Sequence, residues 1–420
     1  MNSTNSTDRS NYGWIILAVA TFALIVGNGL SIGGIPVFYK AIREEFVADG
    51  LVAVQRAESF IADGANITFL MSGVFSMLGG WLIKRYSLRF LMILGCIALG
   101  VGLLLHSQAE SVAAVYAARF LMGMSLGFVG VTPSVVLVSG WFRRNRGTAL
   151  GILLTGTSIG GVVIPFIAAP LITRFGWRAA MAALSVLVWL VLLPAVILLV
   201  RENRENEPRP ENAEAKEITG YMLSEAVRMP VFWVFGACAA LVFYPIFATS
   251  QQFILYLQTP RIGMSLESAA LAQSALFGVS VGGKFLAGWL SDRWRPSVVM
   301  LGCTMTMFAA TLVLFDLNVG NALPFLMTFG LGYGGTFVLL QRMAADIFGM
   351  KEYGKILGTI TMIEIIGAAV GGRITGYLAD EAGGDYVFAF YGVIAAAAAA
   401  FVCVALLNVM VRHRFGAFKN

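Results

Sequence analysis

The chain has 420 residues, of which 58% are hydrophobic and 12% charged, with a net charge of +6. Soluble globular chains carry about 25% charged residues, so this composition excludes an ordinary soluble protein and predicts one that crosses the membrane several times. The four cysteines, Cys96, Cys238, Cys303 and Cys403, all fall inside apolar stretches, at spacings that favour neither a disulfide framework nor a metal site.

Apolar runs of about 20 residues, the length that crosses a bilayer, occur twelve times along the chain. They predict transmembrane helices at about residues 13–37, 62–83, 89–107, 112–138, 147–170, 178–200, 230–256, 267–290, 297–317, 320–346, 355–378 and 386–411. The polar segment Arg201–Gly220 divides these spans into six and six. We therefore predict an N-terminal half (residues 1–200), a cytoplasmic linker (201–229) and a C-terminal half (230–420).

The basic residues predict the orientation in the membrane. Most of the 29 lysines and arginines lie in loops on the same side as the N-terminus, for example Arg143, Arg144 and Arg146. The positive-inside rule places that side in the cytoplasm, which accounts for the basic net charge without a nucleic-acid partner. We expect a monomeric, multi-pass protein of the cell membrane, in contact with the lipid bilayer, with both termini in the cytoplasm.

The two halves of the chain repeat. Arg146–Pro165 aligns with Tyr353–Gly372, with glycines and leucines at matching positions, and Gly80-Trp81-Leu82 aligns with Gly288-Trp289-Leu290. A repeat of six spans is typical of pseudo-symmetric transporters, whose substrate site lies near the bilayer midplane between the halves. The repeat also separates architecture from function, because a charge that occurs in only one half needs another reason than packing.

Lys284, Arg342 and Glu364 are charged residues of this kind, inside predicted spans of the second half. Their counterparts in the first half are the uncharged residues Ser76, Val135 and Thr157. A charge at the bilayer centre costs about 2.5–3.5 kcal/mol on insertion scales, so such residues usually face a cavity or a partner. With a rise of about 1.5 Å per residue, Lys284 and Glu364 lie about 12–13 Å from the cytoplasmic ends of their spans.

We predict that Lys284 binds an anion, because an ammonium is a suitable point charge for a carboxylate in a low-dielectric cavity. Glu364 is a candidate for proton coupling, since its protonation would depend on whether substrate occupies the lysine. A structural ion pair between the two residues is the alternative. Arg342 either lines the same cavity or extends to the membrane interface.

Further polar residues of spans one, seven and ten are candidates to line this cavity. They are Asn28, Tyr39, Tyr244, Gln251, Tyr333 and Gln341. The sequence carries no phosphate-binding loop and no Ser-His-Asp set in a plausible context, and its two histidines, His106 and His413, are far apart. We therefore expect no enzymatic activity, no catalytic residues, no cofactor and no metal site.

Several short motifs are similar to those of the major facilitator superfamily, and together they extend over the whole chain. Gly288–Arg293 (GWLSDR) resembles the loop motif between spans two and three of a half, and Gly80–Arg85 is a degenerate copy with Lys84 where aspartate is expected. Arg119 resembles the span-four arginine, and Gly156–Pro165 the span-five glycine–proline motif. The resemblance implies an all-α membrane protein of twelve transmembrane helices in two pseudo-symmetric six-helix halves.

In this resemblance the loop motif locks an inner gate through charge contacts between spans. The residues implied in this conformational gate are Gly288, Asp292 and Arg293, with Gly80 and Arg85 of the first copy. Arg119 is implied mainly in ordering the first half, with a lesser role in proton coupling.

Within the superfamily the chain is most similar to the monocarboxylate transporter and oxalate/formate antiporter group. The segments that carry this similarity are Tyr12–Trp14, Val37–Lys40, Phe175–Arg178, Asp346–Gly349 and Tyr353-Gly354. Where that group has an aspartate and an arginine in span eight, this chain has Ser280 and Lys284, and the group's lysines of spans one and eleven fall near Gly33 and Ile360.

The resemblance implies a secondary active transporter that moves a small organic anion, a monocarboxylate or dicarboxylate, by alternating access. Transport is either coupled to protons or proceeds by exchange. One alternative is an exporter or importer of a drug, a vitamin or a zwitterionic metabolite, in which Lys284 and Glu364 bind the two ends of a zwitterion or neutralise each other. A more remote alternative is a membrane sensor that does not transport.

Overall fold

A computed structural model of the protein describes residues 4–83, 85–142, 145–202, 220–257, 262–264, 266–316, 319–381 and 386–414. The regular secondary structure of these residues is helical, apart from an isolated antiparallel bridge between Gly220 and Gly349. The helices of the first half are α1 Thr4–Asn28, α2 Pro36–Ala48, α3 Ala57–Leu82, α4 Leu88–Ser107, α5 Val112–Val129, α6 Val131–Trp141, α7 Arg146–Leu187 and α8 Leu193–Leu199, with π-helical turns at Gly29–Gly33 and Val188–Leu192.

The second half begins with a short helix and continues with six long ones. They are α9 Leu223–Ala226, α10 Pro230–Leu257, α11 Leu266–Ser291, α12 Pro296–Thr311, α13 Val319–Phe348, α14 Tyr353–Glu381 and α15 Val387–Arg414. Local chemistry sets several of the ends. Ser87 and Ser111 accept hydrogen bonds from Phe90 N and Ala114 N, both at 3.2 Å, as N-caps of α4 and α5.

Ten helical stretches of the described chain are long and apolar enough to cross a membrane. One of them, Arg146–Leu199, has 54 residues and contains two predicted spans. Gly176, with φ +78°, divides it, because that backbone conformation suits glycine and interrupts a right-handed helix. The helix α11 lies outside this set of ten but covers the predicted span 267–290. Each of the twelve predicted spans thus corresponds to helical structure, and the predicted all-α membrane fold is confirmed.

The first span extends further than its apolar run predicts. After the π-helical turn, α2 continues to Ala48, well past the predicted end at residue 37. Tertiary contacts hold this extension: Ile42 and Phe46 are buried, and the Glu45 carboxylate accepts hydrogen bonds from Trp177 Nε1 at 2.5 Å and Arg178 Nε at 2.8 Å. The charged residues of α2 end the hydropathic signal without ending the helix.

The helices form two compact units, and each unit is made of several separate stretches of the chain. Unit 1 comprises Met1–Arg143, Ile152–Ile218 and Leu357–Thr359, and unit 2 comprises Arg144–Gly151, Thr219–Ile356 and Ile360–Asn420. The first turns of α7 therefore belong to unit 2, while the rest of that helix belongs to unit 1. The predicted boundaries at residues 200 and 230 stay a prediction.

Candidate functional site

Lys284 lies on α11 in unit 2 and is 0% exposed. Glycines bring α13 against α11 at this level. A Cβ atom added to Gly334 would lie 2.8 Å from Lys284 N, and one added to Gly283 would lie 2.9 Å from Leu331 Cα. Any larger residue would push the two helices apart, so the glycines fix the backbone of the lysine against α13.

The Lys284 ammonium faces two aromatic rings of α13. Its Nζ lies 4.8 Å from the ring centroid of Phe337 and 5.5 Å from that of Tyr333. Such cation–π contacts are worth up to about 2 kcal/mol when the cation is desolvated. They offset part of the cost of burying the ammonium.

These two rings belong to an aromatic cluster, which we define as Phe243, Phe247, Phe277, Tyr333 and Phe337. Ring centroids are 5.7 Å apart between Phe243 and Phe337, and 5.8 Å apart between Phe243 and Phe247. The Tyr333 centroid lies 6.3 Å from that of Phe277 and 6.4 Å from that of Phe337. The cluster joins α10, α11 and α13, and two of its rings, Tyr333 and Phe337, lie beside Lys284 Nζ.

Glu364 on α14 is also buried in unit 2, with 2% of its surface exposed. Its carboxylate accepts a hydrogen bond from Gln341 Nε2 at 3.4 Å, and Tyr353 Oη donates to the backbone oxygen of Gln341 at 2.8 Å. Gln341 Oε1 is buried without a hydrogen-bond partner. In the part of the chain that the structure describes, no lysine or arginine nitrogen lies within 4.0 Å of the Glu364 carboxylate, so this conformation does not contain the structural ion pair with Lys284.

A second group of charges, the Asp292 cluster, lies at the end of α11. We define it as Asp292, Arg342, Asp346, Arg146 and the backbone of Gly147 and Thr148. The Asp292 carboxylate accepts hydrogen bonds from Gly147 N at 2.9 Å, from Thr148 N at 2.7 Å and from the Thr148 hydroxyl at 2.6 Å. These donors belong to the first turn of α7, whose free N–H groups and positive dipole end attract a carboxylate.

Arg342 completes the Asp292 cluster from α13. Its Nη1 binds the Asp292 carboxylate and donates to Ser291 Oγ at 3.0 Å, and its Nε donates to Asp346 at 3.3 Å. Arg146 Nη1 lies 3.8 Å from Asp346. The structure therefore places Arg342 among acidic partners in this cluster.

The glycines of the loop motif let α7 approach α11 closely. A Cβ atom on Gly288 would lie 2.9 Å from Gly151 Cα, and one on Gly151 would lie 2.9 Å from Lys284 O. Arg293, the last residue of the motif, is exposed and packs on Trp289, with its guanidinium carbon 3.7 Å from the ring centroid. In the first copy of the motif, Gly80 is buried at the end of α3 and Arg85 is exposed in the turn that follows.

The remaining cavity candidates lie on other helices. In unit 1, Asn28 ends α1 directly before the π-helical turn, and its Nδ2 is buried without a hydrogen-bond partner. Tyr39 lies in α2, where its ring centroid is 5.3 Å from the guanidinium carbon of Arg119. In unit 2, Tyr244 is half-buried in α10, and the Gln251 side chain lies outside the described residues.

Arg119 is 2% exposed in unit 1, and its Nε and Nη1 have no hydrogen-bond partner among the described residues. The contact with Tyr39 places this arginine beside a residue that we predicted for the cavity, although the two predictions were made on different grounds. His106 is fully buried in the same unit, with its ring centroid 6.1 Å from that of Trp177, and neither ring nitrogen has a partner in the part of the chain that the structure describes.

Three kinds of site residue escaped the sequence reasoning. Tyr333 was predicted for the cavity but Phe337 was not, although its position four residues later on the same helix was a usable signal for a second ring beside Lys284. Asp346, four residues after Arg342, was a similar signal for the Asp292 cluster. The backbone N–H groups of α7 that bind Asp292 have no signature in a sequence.

Comparison with known proteins identifies the family of the chain. The Major Facilitator Superfamily profile matches residues 17–341 and 261–416. The "MFS transporter asaE" of Aspergillus flavus is 30% identical over 279 residues, which span 65% of this chain and 61% of that protein. The "Agnestins efflux protein AgnL12" of Paecilomyces divaricatus is 25% identical, over 86% of this chain and 83% of that protein. "Monocarboxylate transporter 13" of Rattus norvegicus is 26% identical, over 94% of this chain and 91% of that protein.

Solved structures show the same fold. The proton:xylose symporter XylE superposes with a TM-score of 0.74 at 14% identity, over 94% of this chain and 95% of that chain. FucP in the outward conformation superposes with a TM-score of 0.70 at 15% identity, over 93% of this chain and 97% of that chain. Together with the profile match, these similarities show that the chain belongs to the Major Facilitator Superfamily of membrane transporters.

Proposed function

We propose that this transporter moves an organic anion by alternating access, and that Lys284 binds the carboxylate of that anion. The observation that carries the proposal is a fully buried ammonium whose neighbours at 4.8 and 5.5 Å are ring faces. A charge in a membrane span is costly and usually serves a ligand or a partner. The similarity to a protein named monocarboxylate transporter supports a carboxylate as the ligand.

We further propose that Glu364 couples anion movement to a proton, in symport or in exchange. Its carboxylate shares a hydrogen bond with Gln341 and lies in the same unit as Lys284. A buried carboxylate changes its proton occupancy readily when a nearby charge is added or removed. Because the two residues are predicted at about the same depth in their spans, we propose that arrival of an anion at Lys284 changes the proton occupancy of Glu364.

The Asp292 cluster is proposed as the gate of the transport cycle. Because α7 starts in unit 2 and continues in unit 1, breaking the bonds of Asp292 to Gly147 and Thr148 frees the start of this helix from unit 2. From α13, Arg342 binds Asp292, and Asp346 in turn accepts a hydrogen bond from Arg342. From the distribution of basic residues, we propose that this gate lies on the cytoplasmic side of a cell membrane. We also propose that the protein acts as a monomer.

Reconstitution of the purified protein into liposomes tests the ligand role. Uptake is measured for labelled lactate, oxalate and benzoate, with and without a pH gradient, for the wild type and for Lys284→Ala. Losing a charge-assisted hydrogen bond in a desolvated site costs enough to lower uptake about tenfold or more. The matched control is Arg373→Gln, because Arg373 is an exposed cation of the same unit.

The control variant is expected to transport like the wild type. Equal uptake by Lys284→Ala and the wild type contradicts the ligand role of the lysine. Absence of uptake of every carboxylate by the wild type contradicts the organic-anion proposal itself.

A second function is favoured by the similarity to a protein named as an efflux protein. In that case the substrate is a drug-like or zwitterionic metabolite that leaves the cell. Thermal-shift screening of the purified protein against carboxylates, lipophilic cations and zwitterions separates the two proposals. Stabilisation by zwitterions or cations and none by carboxylates supports efflux.

A further inference from the structure

We propose that the transported anion is a monocarboxylate with a flat aromatic or conjugated body, rather than a small polar acid such as lactate or oxalate. This inference rests on the proposed function, in which Lys284 binds the carboxylate. It concerns the rest of the substrate, which the charge of the lysine does not specify. The aromatic cluster and the hydrogen-bonding groups around Lys284 carry the argument.

The rings of Phe337 and Tyr333 are close enough to Lys284 to contact an acid that binds from their side. A carboxylate oxygen lies about 2.7–2.9 Å from an ammonium nitrogen in a charge-assisted hydrogen bond. Lys284 Nζ itself lies 4.8 Å from the Phe337 centroid and 5.5 Å from the Tyr333 centroid. We propose that the anion approaches Nζ along these two rings, where offset or edge-to-face stacking favours a flat body.

Two hydroxyl groups on α11 and α13, the helices that carry Lys284 and its neighbouring rings, donate their hydrogens to the backbone, although their oxygens can still accept. Ser280 Oγ donates to the backbone oxygen of Phe277 at 2.7 Å, and Thr336 Oγ1 donates to that of Gly332 at 3.0 Å. A small hydroxy acid gains affinity from donors and acceptors of this kind, and it loses its own hydration when it enters an aromatic site. The surroundings therefore favour an apolar body over a hydroxylated one.

The charges of unit 2 match a single carboxylate. Among its described residues, Lys284 is the buried basic side chain. The Arg342 guanidinium is engaged by Asp292, Ser291 and Asp346, so it is not available to a second carboxylate in this conformation. A dicarboxylate such as oxalate would leave one charge buried beside aromatic rings, which is costly.

Competition in proteoliposomes tests the substrate class. Uptake of labelled benzoate by the wild type is measured in the presence of unlabelled benzoate, cyclohexanecarboxylate, lactate or oxalate. Cyclohexanecarboxylate matches benzoate in size and charge but lacks a flat ring. We expect benzoate to compete about tenfold better than lactate or oxalate, and better than cyclohexanecarboxylate, because ring stacking adds to apolar burial.

Substitution of Phe337 tests whether its ring is the source of the preference for a flat acid. Phe337→Leu keeps an apolar side chain and removes the ring face nearest to Lys284 Nζ. It is expected to reduce the preference for benzoate over cyclohexanecarboxylate. The control is Phe285→Leu on α11, because Phe285 is 47% exposed, and this variant is expected to keep the wild-type preference.

The outcomes separate this inference from the proposed function. Better transport of lactate or oxalate than of benzoate overturns the aromatic substrate class and leaves an organic-anion transporter with Lys284 as ligand. Equal competition by benzoate and cyclohexanecarboxylate overturns the requirement for a flat ring. Transport of no carboxylate overturns the proposed function. If Phe337→Leu does not fold, the competition series in the wild type decides alone.

Discussion

Two regions of α11 use charge in opposite ways. At Asp292 the carboxylate receives hydrogen bonds from Gly147 N, Thr148 N and the Thr148 hydroxyl, and it pairs with Arg342. At Lys284 the ammonium is buried against aromatic rings. The first region is a set of mutually satisfied groups and suits a contact that holds a conformation. The second is the place where we propose that a ligand is recognised.

The same contrast separates two arginines of the two units. Arg342 in unit 2 binds Asp292, Ser291 and Asp346. Arg119 in unit 1 is 2% exposed, yet among the described residues its Nε and Nη1 have no hydrogen-bond partner. Buried polar groups are nearly always paired, so an unpaired one in a native structure calls for a functional explanation. By this criterion Arg119 is a candidate for a functional role, whereas Arg342 is satisfied within the Asp292 cluster.

Asp292→Asn is expected to have the largest effect on stability. It removes the charge that pairs with Arg342, whose side chain is 14% exposed, against 8% for Asp292. Breaking a buried ion pair costs about 3–5 kcal/mol, and we expect about 2–3 kcal/mol here because the pair is not fully buried. At about 2–4 °C per kcal/mol, the Tm in detergent falls by about 5–10 °C.

Two further variants test whether this loss of stability comes from the ion pair between Asp292 and Arg342. Asp292→Glu keeps the charge and is expected to lose less stability than Asp292→Asn. In Asp292→Asn combined with Arg342→Gln, the second substitution is expected to cost little more, because the pair is already broken. Strictly additive losses of Tm in the double variant would show that the two side chains do not act together.

Glu364→Gln is expected to separate transport from the proton gradient. The amide has the size of the carboxylate but cannot bind and release a proton. Uptake driven by a pH gradient falls to the level measured without a gradient, while exchange of internal for external substrate continues. If gradient-driven uptake by Glu364→Gln equals that of the wild type, Glu364 does not couple protons.

Glu45→Gln in unit 1 is expected to have the smallest effect. Glu45 and Arg178 lie 2.7 Å apart, but their side chains are each 34% exposed, so water screens the pair. Pairs of this kind contribute about 1 kcal/mol or less, and a glutamine still accepts the hydrogen bond of Trp177 Nε1. We expect uptake close to wild type and a Tm lowered by about 4 °C at most. A larger loss would mean that α2 depends on this contact more than its exposure implies.

The fold was predictable because the bilayer imposes a length and a polarity on every span. The extension of α2 to Ala48 was not, because Ile42 and Phe46 are buried by distant parts of the chain. The single long helix from Arg146 was likewise read as two spans, and Gly176 marks where they meet. In both cases the apolar runs were right and the helix ends were set by tertiary contacts and by a positive φ.

The site was predictable where a residue is anomalous. Lys284 and Glu364 stand out because charges are rare in membrane spans. Phe337 does not stand out, since phenylalanine is an ordinary residue of such spans, and only the structure shows its ring beside the lysine. Asp292 was found through its motif, but two of its three donors on α7 are backbone N–H groups that every helix start possesses.

Substrate counterflow, measured together with thermal stability, tests the contrast on α11 most directly. Proteoliposomes are loaded with unlabelled benzoate, and entry of labelled benzoate is followed for the wild type, Lys284→Ala and Asp292→Asn. We predict that Lys284→Ala loses counterflow and keeps or raises its Tm, because it removes a buried charge. Asp292→Asn is predicted to lower the Tm. Counterflow at the wild-type level by Lys284→Ala would contradict the assignment of recognition to Lys284. A Tm that falls more for Lys284→Ala than for Asp292→Asn would contradict the assignment of conformational stability to Asp292.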